Sequence, residues 1–123
     1  MGVVNRKTLY FTAPRQVELR EESLHDLGAD MVFSNVGYLP LAGAQRAGIP
    51  NVALCSLNWS DIYRHYCGDN AIAAQIHACY ANADAFMRAT PGMATSNLAN
   101  LVPAGPIAAV GNNRRDELNG HWR

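Results

Sequence analysis

Two apolar runs set the pattern of this chain, each ending in a polar loop and each followed by residues at helical spacing. Asp30-Met31-Val32-Phe33-Ser34 and Val52-Ala53-Leu54-Cys55-Ser56 are short and continuous. That pattern suits strands buried on both faces of a parallel sheet better than alternating edge strands. Between them, Tyr38 to Ala47 is rich in Leu and Ala, with Gly48 at its end and Pro50 just beyond, the punctuation of a helix C-terminus. The order strand, helix, strand, helix makes a βαβ unit. In open α/β sheets ligands bind beyond the carboxyl ends of the strands, so Ser34-Asn35-Val36-Gly37 and Ser56-Leu57-Asn58-Trp59 are the places to seek function.

Other elements follow from the same pattern. Leu9-Tyr10-Phe11 has strand character, although Lys7 and Thr8 before it and Pro14 after it suit an irregular arm as well. Pro14 to Leu27 reads as a helix with Val17, Leu24 and Leu27 on one side and Gly28 as terminator. Asn58 can cap a helix over Trp59 to Tyr66, Gly68-Asp69-Asn70 breaks it, and Ala71 to Ala83 resumes with Ile72, Ile76, Cys79, Tyr80 and Ala83 in phase. Ala85 to Arg88 reads as a third short strand ending at Thr90-Pro91-Gly92, and Leu101-Val102-Pro103 leads to another extended piece, Ile107 to Val110. A last helix starts near Asn112 and has only Leu118 and Trp122 to bury.

Composition narrows the class. At 123 residues and 16% charged, the chain has the size and hydrophobic content of one globular domain. Ten basic residues balance ten acidic ones, which gives no electrostatic ground for binding nucleic acid or an anionic membrane. No apolar stretch approaches the roughly twenty residues that span a bilayer, and the N-terminus lacks the order of a signal peptide. Cys55, Cys67 and Cys79 are an odd number in no recognised framework, which points to free thiols and a cytoplasmic location.

Candidate chemistry gathers at the two loops. Ser34, Asn35 and Gly37 could hold a sugar hydroxyl or phosphate with backbone N–H groups and small side chains, or could simply turn strand into helix. Ser56 ends the second strand at the same rim. Asn58, Trp59, Tyr63 and Tyr66 make an aromatic cluster suited to a sugar ring, although such a stripe is also the pattern of core packing. Asp61 is the one acid near this rim and the only candidate for a catalytic base. Its place in a first helical turn also gives it a simpler role, a favourable interaction with the helix dipole. Arg88 and Thr90 could add a positive charge and a hydroxyl to the same edge. His65, Cys67, His77 and Cys79 lack the short paired spacing of a zinc site, so no metal is expected.

The segments Asp30-Met-Val-Phe-Ser-Asn35, Leu41-Ala-Gly-Ala-Gln-Arg-Ala-Gly-Ile-Pro50 and Asn58-Trp-Ser-Asp-Ile-Tyr63 together resemble the second half of the N-terminal domain of GT-B glycosyltransferases. The likeness is to the glycosyltransferase-like domains related to the N-terminal part of L-arabinokinase, and it covers roughly Leu27 to Leu118. It implies a Rossmann-like three-layer α/β domain with a short parallel sheet over residues 14–110, an N-terminal arm over 1–13, and a tail over 111–123 leading toward a donor-binding domain. By the same resemblance the chain is an acceptor-side domain, a fragment or truncated homologue that would not transfer sugar alone. Ser34, Asn35, Asn58 and Trp59 would touch the acceptor, and no cofactor is implied. The alternative is a non-catalytic α/β module that dimerises or binds another protein through its aromatic surface or an unpaired sheet edge.

Overall fold

The computed structural model describes residues 13–95 and 97–121, so the strand expected at Leu9-Tyr10-Phe11 and the burial expected of Trp122 lie outside the described residues. In chain order the elements are α1 (Ala13–Leu27), β1 (Val32–Asn35), α2 (Tyr38–Ala47), β2 (Asn51–Cys55), α3 (Trp59–Cys67), α4 (Ala71–Ala81), β3 (Ala85–Arg88), β4 (Leu101–Pro103) and α5 (Arg115–His121). The strands form one sheet in the order β1-β2-β3-β4, parallel throughout. The fold is therefore α/β and Rossmann-like, as the apolar runs and their helical partners imply.

Local chemistry explains where the helices stop. The N–H groups of Gly48 and Ile49 return to the carbonyls of α2's last turn, and Gly48 has a φ of 70°, a left-handed conformation that glycine adopts without a Cβ penalty. Asn58 and Asn70 cap α3 and α4, each side chain accepting two backbone N–H bonds. The bend expected at Gly68-Asp69-Asn70 is thus a helix end followed at once by a new capped start.

Parallel pairing puts Ser34, Ala53, Phe86 and Leu101 in one row across the sheet. Against that row pack Leu41 from α2 and Ile76 and Tyr80 from α4, all fully or almost fully buried. Tyr80 meets Phe86 edge-on, with ring centroids 5.2 Å apart and planes at 84°. The strands advance across the sheet in sequence order, and right-handed crossovers then carry α2 and the α3–α4 pair to the same face.

The other face departs from the sequence expectation. β1 alternates, with Val32 and Ser34 buried but Phe33 56% exposed, so it is not a strand buried on both sides. Val52, Leu54 and Met87 on the same face as Phe33 are half-buried, and Val102 is 44% exposed. Two further expectations change. Leu27 is exposed, because α1 packs on α2 and, among the described apolar side chains of α1, only Val17 reaches the core cluster. Ile107 to Val110 forms no strand, and α5 begins at Arg115 rather than near Asn112.

The α1–α2 contact is close because α2 carries a glycine there. A Cβ built on Gly43 would lie 2.6 Å from the Cβ of Arg20 and 3.2 Å from the backbone on either side of the Arg20–Glu21 peptide. Beside it, Arg46 pairs with Glu21 at 2.6 Å and Glu18 at 3.8 Å. Gly43→Ala adds about 1 kcal/mol of helix propensity but forces this contact apart at a cost of about 1–3 kcal/mol. The overlap is against backbone and a Cβ, which cannot rotate away, so the net expectation is destabilisation. A lower urea midpoint for the variant checks this, and an unchanged or raised midpoint contradicts it.

Candidate functional site

The carboxyl ends of β1, β2 and β3 form a continuous rim. β1 ends at Asn35, whose carbonyl accepts the N–H of Gly37 at 2.9 Å, closing a three-residue γ-turn centred on Val36 with a φ of 69°. A β-branched residue at positive φ is strained by about 1–3 kcal/mol and persists only when its surroundings hold it. Here they do. The Tyr80 hydroxyl donates to the Val36 carbonyl at 2.7 Å, Ser34 Oγ donates to the Gly37 carbonyl at 2.6 Å, and the Val36 side chain packs against the core cluster.

β2 gives way to α3 through Asn58. Its Oδ1 accepts from the N–H of Ser60 at 2.9 Å, the N–H of Asp61 at 3.3 Å and the Ser60 hydroxyl at 2.6 Å, and both side chains are fully buried. Asn58 Nδ2 has no partner among the described residues, nor do the buried hydroxyls of Tyr38 and Tyr63. Such groups cost about 1–3 kcal/mol each when left unsatisfied. The loop after β3 closes over the same edge. Met93 donates its N–H to the Ser56 carbonyl at 2.8 Å, and a Cβ on Gly92 would fall 2.5 Å from the Ala89 carbonyl oxygen and 2.9 Å from that of Ser56.

The candidates from the sequence separate into two groups at this rim. Asn35, Ser56, Trp59 and Thr90 are exposed, and Gly37 and Arg88 are half-buried. Ser34 and Asn58 lie beneath them, buried and engaged in shaping the turns. Register refines their placement: Ser34 lies opposite Ala53 inside the sheet, so the exposed edge is made by Asn35, Ser56 and Trp59, with Val36, Gly37 and Leu57 half-buried beside them. The aromatic stripe divides as well. Tyr63 packs against the core, Trp59 is 42% exposed, and Tyr66 is 80% exposed with His65 edge-on at 4.8 Å. Asp61 pairs with Arg64 Nη1 at 3.1 Å, and the same guanidinium binds Asp69 through Nε at 3.0 Å. No described carboxylate pairs with Arg88.

Tyr80, Gly92 and Ser60 build the rim without having been singled out for it. Tyr80 was visible only as one apolar position in a helical phase, and Gly92 only as a turn residue after proline. Ser60 follows a recognisable cap, yet its burial depends on the packing around α3.

Ionisation at the rim runs toward neutral groups. Burial, reinforced by the nearby Cys55 thiol, pushes the Tyr80 hydroxyl far above its ordinary value, with a backbone hydrogen bond from Trp59 working the other way. Burial raises Tyr38 in the same direction, and raises Cys55 and Cys79 to about 11. Tyr80 therefore stays protonated and remains a donor to Val36. The arrangement offers hydrogen bonds and an aromatic surface rather than a poised acid or base.

The amino ends of the strands carry a shallow open depression lined by Gln45, Pro50, Asn51, Asn82 and Asp84. Its polar groups are largely committed to one another. Gln45 Nε2 donates to Asn51 Oδ1 at 3.1 Å and the Cys79 carbonyl at 2.8 Å, and Asn51 N–H donates to Asp84 Oδ2 at 2.8 Å. This end is a structural latch between β2, β3 and α4. Among the described residues no group of three or more His, Cys, Asp or Glu side chains could hold a metal ion, and no helix is long and apolar enough to cross a membrane. Comparison with protein-family models, curated proteins and solved structures found no match to this chain.

Two outcomes follow. Tyr80→Phe keeps the ring against Phe86 but removes the bond to Val36, so it costs about 1 kcal/mol in urea unfolding and shifts the amide resonances of Val36 and Gly37; unchanged stability and unchanged resonances contradict the assignment. The pH dependence has a definite sign. Cys55 and Cys79 ionise at about 11 when folded against 9.0 ordinarily, so above pH 9 the folded chain keeps protons the unfolded chain has lost. Stability from this source is full below pH 9 and is lost as pH rises to about 11. Urea midpoints measured from neutral to alkaline pH check this, and a flat or rising profile contradicts it.

Proposed function

We propose that this chain is a glycosyltransferase-like acceptor-side domain, whose carboxyl-end rim receives a sugar or other hydroxyl-bearing acceptor and which needs a second, donor-binding domain for transfer. The observation that carries the reading is the meeting of two polar turns at the ends of adjacent parallel strands, beside an exposed Trp59 ring. This is where ligands bind in open α/β sheets. Asn35, Ser56 and Thr90 offer amide and hydroxyl groups to a polyol, Trp59 offers a flat apolar face, and Arg88 adds a charge not matched by a described carboxylate. Ser34, Gly37, Asn58 and Tyr63 act through the shape of the turns and of α3. Asp61 would have to leave Arg64 to serve as a base, so the domain binds and orients rather than reacts. Three free cysteines fit a cytoplasmic setting for this reading.

A second reading rests on a different surface. Phe33 and Val102 are exposed on the sheet face turned away from the helices, which favours a non-catalytic module that associates through that face. Titration of the labelled chain with simple sugars and nucleotide-sugars distinguishes the two. The acceptor reading expects a dissociation constant in the millimolar range or tighter, with amide shifts at Asn35, Gly37 and Ser56 and at the Trp59 indole. No shift at the rim across the panel, at about tens of millimolar, contradicts it.

A further inference from the structure

We infer that the acceptor received at the carboxyl rim is a sugar carrying a phosphate monoester, and that Arg88, with the hydroxyls of Ser56 and Thr90, holds its phosphate. This rests on the acceptor reading above and names the substrate class that reading leaves open.

Charge singles out Arg88. Arg15, Arg46, Arg64 and Arg114 each pair with a carboxylate, whereas Arg20, Arg88 and Arg115 pair with no described one. Arg20 and Arg115 are exposed, where water solvates the guanidinium; Arg88 is half-buried. All 10 Asp and Glu residues of the chain are among those described, so no acidic side chain elsewhere in it completes the pair. Ionised groups drawn out of water are ordinarily paired, and a half-buried guanidinium with no acidic partner in its own chain is suited to an anion from outside.

Register fixes where that anion sits. Arg88 ends β3, opposite Cys55 on β2 and Pro103 on β4. Side chains alternate along a strand, so Arg88 shares a sheet face with Phe86, the face that the helices cover. The loop after it is tied to β2 at both ends, Ala89 donating its N–H to the Cys55 carbonyl at 3.0 Å and Met93 to the Ser56 carbonyl at 2.8 Å. Thr90 is thereby held at the ends of β2 and β3, beside Ser56. Both residues are exposed, and neither hydroxyl bonds to another described residue. Asp61, in the first turn of α3, is engaged by Arg64 at 3.1 Å, which offsets its repulsion of an anion.

The donor set favours phosphate over carboxylate. A guanidinium fork takes two oxygens in parallel bonds, and a carboxylate has only those two. Two further hydroxyls suit a group with a third oxygen and a second negative charge, as a phosphate monoester has. Trp59, exposed at the start of α3, leaves a flat apolar face at the same rim for the sugar ring.

NMR titration of the labelled chain with the monophosphates of glucose, mannose and galactose, their parent sugars, glucuronate and inorganic phosphate tests this. At least one sugar phosphate is expected to bind about tenfold or more tightly than its parent sugar, with amide shifts at Ser56, Arg88 and Thr90. Arg88→Gln removes that advantage, and Arg88→Lys, which keeps the charge without the fork, retains part of it; far-UV circular dichroism checks the fold of both. Sugar phosphates that bind no more tightly than their parents, or equally well to Arg88→Gln, overturn the inference. If the neutral sugars still shift the rim, the acceptor reading survives that failure. Glucuronate or inorganic phosphate binding as tightly as the best sugar phosphate also overturns the assignment. No rim shift from any member of the panel overturns both.

Discussion

The Tyr80 hydroxyl reaches from α4 through the core to the carboxyl end of β1 and donates to the Val36 carbonyl at 2.7 Å. Around that bond the rest of the domain is arranged. The ring stands edge-on to Phe86 in the central row of the sheet, and the Tyr80 carbonyl accepts Asn100 Nδ2 at 2.8 Å, which ties the segment before β4 to the end of α4. One residue therefore links helix layer, sheet and rim. Its hydroxyl is buried and kept neutral, so the bond is protected from water and persists at any physiological pH.

The two ends of the sheet have different energetic characters. At the amino end, Gln45, Asn51 and Asp84 satisfy one another, and the chain is locked. At the carboxyl end Val36 is strained, Asn58 Nδ2 lacks a partner among the described residues, and Gly92 brings a loop into backbone contact with Ser56. Strain and unsatisfied polar groups concentrate where a structure is shaped by something other than stability. In this chain Val36 and Asn58 stand at the end where parallel sheets bind ligands, whereas Asn97, with a φ of 67°, and the unpartnered Asn100 Oδ1 lie just before β4 at the other end, so the polar turns and the exposed Trp59, rather than strain, support a binding role at the carboxyl rim.

Much of this architecture was legible in the residues. Continuous apolar runs, Gly48 before Pro50 and Asn58 before an amphipathic stretch gave the βαβ unit and its caps, because each depends on local backbone chemistry. What depended on depth or distance was not legible. An apolar run such as Met31-Val32-Phe33 reads the same whether one face or both are covered; only strand order, which puts the crossovers on one face, shows Phe33 to be exposed. Period two separates Ser34 from Asn35, yet which of them faces the helices depends on register. Tyr80 was readable as helical in phase, but its partner lies 44 residues earlier in sequence and no local pattern joins them. Ile107 to Val110 has strand composition without a neighbour to pair with, and remains irregular.

The account stands on the Tyr80–Val36 bond as the lock of the rim. Its most direct test is detection of the Tyr80 hydroxyl proton by NMR on the folded chain at neutral pH. The account predicts a slowly exchanging hydroxyl resonance with cross-relaxation to the Val36 α-proton and the Gly37 amide, and a Val36 coupling constant that fits positive φ. A hydroxyl proton lost to rapid exchange with water, together with a Val36 coupling that fits ordinary extended backbone, would contradict it.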